Sequence, residues 1–155
     1  GKSLIEDSML EEAKELIKNP KIIIPESVIV SISADEPGRI VSASSIQENE
    51  AIFDIAPASL VDLEPIIMNA GTILWNGPLG FFEKENFFAG TAMIAEMIIS
   101  SKGFSVAGGG DTISAAEKAG VLDSLDYVST AGGAFLEFME GKKLPALEAL
   151  IDKVN

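Results

Sequence analysis

Three short loops hold the residues of this 155-residue chain whose types and spacing could do chemistry. The first is Gly108-Gly109-Gly110-Asp111-Thr112, set between an apolar run and the start of a helical pattern. Glycines carry no Cβ, so the backbone N–H groups of such a loop can close on an anion at a helix N-terminus. The Asp111 carboxylate is a hard oxygen ligand suited to Mg²⁺, and the Thr112 hydroxyl can hydrogen-bond a phosphate oxygen. Neither standard phosphate signature is present, because GxxxxGK[ST] is missing, no Lys follows, and position 113 is Ile. Taken alone, the string more commonly means a tight turn with Asp111 as a helix N-cap.

The second loop is Trp75-Asn76-Gly77-Pro78-Leu79-Gly80-Phe81-Phe82-Glu83. Asn-Gly often marks a hairpin turn, but here it follows a wholly apolar run and precedes Pro, Gly and a helix, as a βα loop does. Asn76 offers a donor and an acceptor at the strand end, and Glu83 can accept hydrogen bonds from sugar hydroxyls. A structural turn with Glu83 on the solvated surface fits the same residues. Phe81, Phe82, Phe87 and Phe88 read as core rather than as a stacking platform. The third loop, Ser129-Thr130-Ala131-Gly132-Gly133-Ala134, again exposes backbone donors at a strand-to-helix junction, or simply caps and packs a helix. One such loop is weak. Three on adjacent parallel strands would converge on one crevice, and a phosphorylated ligand is its natural occupant.

Composition narrows the chemistry further. Eleven basic residues against twenty-four acidic ones leave a net charge of −13, which argues against nucleic acid or an anionic membrane as partner. The chain has no His and no Cys, so His-dependent triads, His general bases, thiolate chemistry and Cys- or His-ligated metals are excluded. No apolar run reaches the ~18 residues of a membrane span. The only arginine is Arg39, and no lysine lies in the Gly108–Thr112 or Ser129–Ala134 loops, so positive charge for phosphate chemistry has to come from elsewhere.

The elements that must position these loops follow from periodicity. A helix over residues 8–19 is predicted with Ser8 to Glu11 as a capping box and Leu10, Ala13, Leu16 and Ile17 on one face. Two β-branched runs follow, Ile22–Ile24 and Val28–Ile32, then a polar, exposed excursion over residues 34–49 and a short strand or turn at Ile52 and Phe53. Helices are predicted at about 59–69, 87–101, 112–119, 132–140 and from Pro145. Strands are predicted at 72–75, 104–107 and 127–129. Short apolar strands alternating with helices imply an α/β fold, a doubly wound parallel sheet in three α/β/α layers. With no initiator Met and no strand ahead of the first helix, the chain is expected to be the later part of a larger α/β domain.

The strings WNGPLGFFE, AGGGDT and VSTAGGAFLEFMEGKKLP, in that order, closely resemble the C-terminal part of phosphoglycerate kinases, and the opening GKSLIEDSM and late PALEAL extend the similarity over the chain. The resemblance implies a Rossmann-like fold within a two-lobe, cytoplasmic, monomeric glycolytic kinase. Such an enzyme passes a phosphoryl group reversibly from 1,3-bisphosphoglycerate to ADP, giving 3-phosphoglycerate and ATP, with Mg²⁺. Residues 1–144 would belong to the nucleotide-binding lobe and residues 145–155 would run back toward the N-terminal, glycerate-binding lobe. By the same resemblance, Gly108, Gly109, Gly110 and Thr112 line the nucleotide phosphates and Asp111 meets the metal. Asn76, Gly77 and Pro78 lie beside the nucleotide, Glu83 bonds the ribose, Phe53 lies near the base, and Gly132 and Gly133 aim a helix N-terminus at the transferring group.

Two positions depart from the family pattern. Ala131 stands where three consecutive glycines often follow Ser-Thr, and Ala51-Ile52-Phe53-Asp54-Ile55-Ala56-Pro57 is bulkier than the usual GLDIGP-like string. Because the cations are lacking, the chain alone is expected to be inactive. A stand-alone, non-catalytic adenine-nucleotide module and an interaction protein that has lost its ligand are the other two readings.

Overall fold

The computed structural model describes residues 1–151, so the last four residues of the expected 145–155 segment lie outside the described residues. The chain is α/β, as the alternation predicts. In order it forms α1 (Leu10–Leu16), β1 (Ser27–Ser31), β2 (Arg39–Ser42), β3 (Ala51–Ile55), α2 (Glu64–Met68), β4 (Thr72–Trp75), α3 (Ala89–Ser100), β5 (Phe104–Gly108), α4 (Gly110–Lys118), β6 (Tyr127–Ser129), α5 (Gly133–Met139) and α6 (Pro145–Ile151). It divides into two compact units. One comprises Gly1–Ile66 with Leu79–Ile94; the other comprises Ile67–Pro78 with the chain from Ala95 onward. No helix among the described residues is long and apolar enough to cross a membrane.

The second unit carries the parallel sheet, ordered β4-β5-β6, with Trp75 level with Ala107 and Gly108 level with Ser129. All three strands therefore end at the same edge, and the three glycine-bearing loops leave from there. Trp75, Ala107, Ala115, Ala116, Val121 and Phe135 are buried in this unit. Alanines along α4 let the helix approach closely, while Trp75 and Phe135 bring large aromatic side chains into the core. Large apolar side chains also stay exposed on this sheet, Leu74, Phe104 and Tyr127 among them.

The first unit holds an antiparallel sheet, β2-β1-β3, that the sequence reading does not anticipate. Residues 34–49, expected as an exposed excursion, include β2. Its register sets Val41 opposite Val28 and Arg39 opposite Val30. That alternation turns Val41 inward to join Val28 and Val30 in the core while Ile40 faces out. Burying each such valine contributes about 1.5–3 kcal/mol.

Several expected elements are corrected. The β-branched run Ile22–Ile24 lies outside both sheets and is exposed; Pro25 ends it without an N–H to donate. The capping box at Ser8 does not form. Ser8 lies inside a short 3₁₀ turn, Asp7–Met9, and donates its N–H back to Glu6 at 3.3 Å, leaving α1 with Met9 as an uncapped start. The apolar face expected on α1 is exposed at Leu10, Leu16 and Ile17. The helix expected over 59–69 shrinks to α2, since Pro65 is tolerated only in a first turn.

One charged contact ties this unit together. Arg39 donates from Nε and Nη2 to the two oxygens of Glu50 at 2.7 and 2.8 Å, and buried Glu50 also accepts the Gln47 N–H at 3.0 Å. Hydrogen bonding to Arg39, then to the Gln47 N–H, holds the Glu50 carboxyl below its ordinary value of 4.5. A carboxyl lowered by folding stabilises the folded state above the unfolded pKa and loses that contribution as pH falls through the folded one. Glu50→Gln is therefore expected to lower the melting temperature near neutrality. Thermal melts across pH should show the gap from the unsubstituted chain closing progressively below 4.5.

Candidate functional site

The loop after β5 turns directly into α4, and its backbone explains the three glycines one by one. Gly108 is buried, and a Cβ there would run into the Phe135 ring from α5, so this glycine serves packing. Gly109 has φ 95° and ψ 140°, a conformation that side-chain-bearing residues rarely adopt, and it is the N-cap of α4. A Cβ on Gly109 would also sit 3.2 Å from Asn76 Nδ2. At Gly110 a Cβ would meet nothing, so the approach to the helix start is open.

The first intrahelical bond of α4 runs from the Ile113 N–H to the Gly109 carbonyl at 3.1 Å. The N–H groups of Gly110, Asp111 and Thr112 therefore precede the helical ladder and present the positive end of the helix dipole. Asp111 is exposed in that first turn and is not the N-cap, which corrects the turn-and-cap reading of this string. Thr112 is buried, and its Oγ1 accepts the Gly77 N–H at 2.7 Å. In this conformation the Thr112 side chain braces the neighbouring loop rather than facing solvent.

The loop after β4 is fastened to the same end of the sheet. Asn76 donates from Nδ2 to the Gly108 carbonyl at 2.7 Å, and Trp75 donates from Nε1 to the Gly77 carbonyl at 2.9 Å. Gly77 has φ 107°, again a glycine conformation. Asn76, Gly77, Pro78, Gly109, Gly110, Asp111 and Thr112 thus occupy two cross-bonded loops of the second unit.

Gly132 and Gly133 start α5 beyond β6. Gly132 is the N-cap with φ 55° and ψ −130°, and neither glycine has a neighbour that a Cβ would touch. Ala131, the departure from a three-glycine string, is accommodated because positive φ falls only on glycines in this chain's described residues.

Glu83 and Phe53 lie in the first unit. Glu83 is exposed. Phe53 stacks on Phe87 with centroids 4.7 Å apart and lines a cleft of about 500 Å³ with Lys2, Leu4, Ile52 and Phe81. Of the four phenylalanines expected in the core, Phe82 and Phe87 are buried, Phe88 is half-buried and Phe81 is exposed.

Two of the cations already have acidic partners. Arg39 is committed to Glu50, and Lys84 pairs with Asp35 at 2.6 Å. No group of three or more acidic side chains able to hold a metal occurs among the described residues. The lone exposed Asp111 beside open backbone donors fits Mg²⁺, which is commonly held by one or two carboxylates together with ligand phosphates.

Two buried residues escaped the sequence reading. Asp54 is the fully buried position of β3; its Oδ2 accepts the Gly90 N–H at 2.9 Å and its Oδ1 the Ile55 N–H at 2.8 Å. Burial raises its pKa, and the two N–H groups pull against that. Thr91, also fully buried, accepts from Leu79 and Gly80. The available signal was a single acid inside an otherwise apolar strand, Ile52-Phe53-Asp54-Ile55.

The family model described as phosphoglycerate kinase matches residues 1–142. A phosphoglycerate kinase of Vibrio campbellii is 49% identical over 152 residues, covering 97% of this chain and 39% of the relative. The structure of phosphoglycerate kinase from Coxiella burnetii superposes with a TM-score of 0.92 at 41% identity, covering all of this chain and 42% of that one. The enzyme from Pyrococcus horikoshii OT3 gives 0.80 at 33% identity, over 92% of this chain and 36% of that one. The chain thus spans about two fifths of the length of the relatives it matches. By sequence and by fold, it belongs to the phosphoglycerate kinase family.

Proposed function

We propose that this chain supplies part of the nucleotide site of a two-lobe phosphoglycerate kinase, with residues 1–144 in the nucleotide-binding lobe and residues 145–155 returning toward the N-terminal lobe. The reaction is reversible phosphoryl transfer from the acyl phosphate of 1,3-bisphosphoglycerate to ADP, with the carboxyl group of 3-phosphoglycerate as acceptor in reverse. A cytoplasmic, glycolytic, monomeric parent protein goes with this reading. The observation that carries it is the open start of α4, where Gly110, Asp111 and Thr112 present backbone N–H groups past a glycine with no obstruction.

In this reading the α4 N-terminus receives the nucleotide phosphates, and the Asn76–Pro78 loop, bonded to Gly108 and Thr112, holds its flank. Asp111 provides a carboxylate oxygen for Mg²⁺, which when bound offsets phosphate charge. Glu83 accepts from the ribose, Phe53 lies toward the base, and the Gly132-Gly133 start of α5 faces the transferring group. Phosphoryl transfer depends on positioning and positive charge more than on covalent steps. With Arg39 and Lys84 both paired, the cations that stabilise the transfer come from outside these loops, so the chain by itself binds nucleotide without turning it over. Exposed Leu74, Phe104 and Tyr127 are where further parts of such a protein would pack.

Calorimetric titration with Mg-ADP tests the site, with circular dichroism confirming the fold. The chain is expected to bind, and Asp111→Ala to weaken binding by about tenfold, or 1.4 kcal/mol. Because Asp111 lies in the first turn and not at the cap, that change should cost only about 0.3–1 kcal/mol of stability. No binding by a folded, unsubstituted chain would remove the nucleotide reading for this stretch.

Two alanine substitutions separate backbone strain from ligand approach. Gly109→Ala should destabilise the chain by about 1–3 kcal/mol in urea denaturation, because its backbone conformation disfavours a side chain. Gly110→Ala should leave stability within about 0.5 kcal/mol yet weaken Mg-ADP, since its new methyl enters the phosphate approach. Unchanged affinity in Gly110→Ala would place the phosphates elsewhere.

A further inference from the structure

Within the first unit, three elements meet at one buried acid. Strand β3 pairs with β1 through an irregularity: Ile29 lies opposite Asp54 and Val30 opposite Ile52, which leaves Phe53 as the extra residue of a bulge. A bulge frees backbone groups from the ladder and redirects the strand. Here the Phe53 carbonyl accepts the Phe81 N–H at 2.7 Å, and the next residue, Asp54, turns fully inward. The Asp54 carboxylate packs between Gly80 and Gly90 so closely that a Cβ on either glycine would collide with it. Its Oδ2 accepts the Gly90 N–H in the first turn of α3. The adjacent residue, Thr91, then accepts two consecutive loop N–H groups on one oxygen, from Leu79 at 3.1 Å and Gly80 at 3.3 Å.

Together with the Phe82 N–H donating to the Gly80 carbonyl at 2.8 Å, this arrangement gives a partner to each backbone N–H from Leu79 to Phe82, the residues immediately ahead of Glu83. We infer that Thr91, presented by the Asp54–Gly90 contact, is a positioning residue that fixes the Leu79–Glu83 loop and through it the carboxylate of Glu83 toward a nucleotide ribose. The inference deepens the proposed function and rests on Glu83 contacting the sugar. Thr91 is fully buried and touches no ligand; it acts only through the loop.

A helix threonine whose sole task was packing would be replaced by valine at little cost. A latch needs the oxygen. Three variants grade that requirement: Thr91→Ser keeps the acceptor, Thr91→Cys offers a weak sulfur acceptor, and Thr91→Val has none. Amide hydrogen exchange, followed by NMR on the 155-residue chain, is expected to accelerate at Leu79 and Gly80 in the order Ser, Cys, Val, with the Glu83 amide resonance shifting in the same order.

Titration with Mg-ADP and with Mg-2′,3′-dideoxy-ADP supplies the functional readout. Thr91→Val should weaken Mg-ADP by about tenfold while leaving the dideoxy nucleotide within about twofold, and Thr91→Ser should restore the difference. Equal weakening of both nucleotides, or of neither, overturns the positioning role while leaving the nucleotide site standing. If the unsubstituted chain binds neither nucleotide, the proposed function fails. The latch is then decided on NMR alone, where unchanged exchange at Leu79 and Gly80 or an unmoved Glu83 resonance in Thr91→Val overturns it.

Discussion

A buried backbone N–H must find an acceptor, and the loop that follows β4 shows how this chain meets that demand without regular structure. Two buried threonine hydroxyls do most of it. Thr112 accepts from Gly77 in one unit, and Thr91 accepts from Leu79 and Gly80 in the other. Pro78, between them, has no N–H to satisfy. The Phe53 carbonyl, freed by a bulge, takes the next donor, Phe81. In one unit a side chain from α4, and in the other a side chain from α3 and a carbonyl from β3, stand where a sheet partner otherwise would. The loop's shape follows from those acceptors, and so does the placement of Asn76 and Glu83 within each unit.

The glycines divide along similar lines. Gly108 is small because Phe135 occupies the space a side chain would take. Gly109 is glycine because of its backbone angles, and Gly110 has neither constraint. The one glycine of the three that the protein's own packing does not require is the one that opens onto the helix start. That contrast leaves the helix start open, and the proposed nucleotide reading rests on that opening.

Electrostatics sets the boundary of what these residues can do. The helix start offers partial positive charge from N–H groups, and Asp111 offers an acid beside it. The buried Asp54 serves structure alone, its carboxylate held between glycines with two backbone donors. With Arg39 locked to Glu50 in a two-point contact, the only guanidinium of the chain is part of the antiparallel sheet's scaffold. Under the proposed function such a site holds a phosphorylated ligand, and other groups bring the charge that activates it.

The α/β class, the parallel strands and the three glycine loops were legible in the sequence because their signals are local. Apolar runs of strand length, helical periodicity, and glycine at strand-to-helix junctions need no partner to be read, and the family motifs sit in those loops. The antiparallel sheet was not legible, since β2 is four residues of mixed character whose strand identity exists only through pairing with β1. The apolar run Ile22–Ile24 stays outside the sheets for the mirror reason: strong propensity with no pairing partner. Asp54, Thr91 and the inward turn of Thr112 were decided by tertiary structure alone. Whether a hydroxyl or a carboxylate meets solvent, a ligand or a buried N–H depends on residues dozens of positions away, and only the folded chain brings those donors within hydrogen-bond reach.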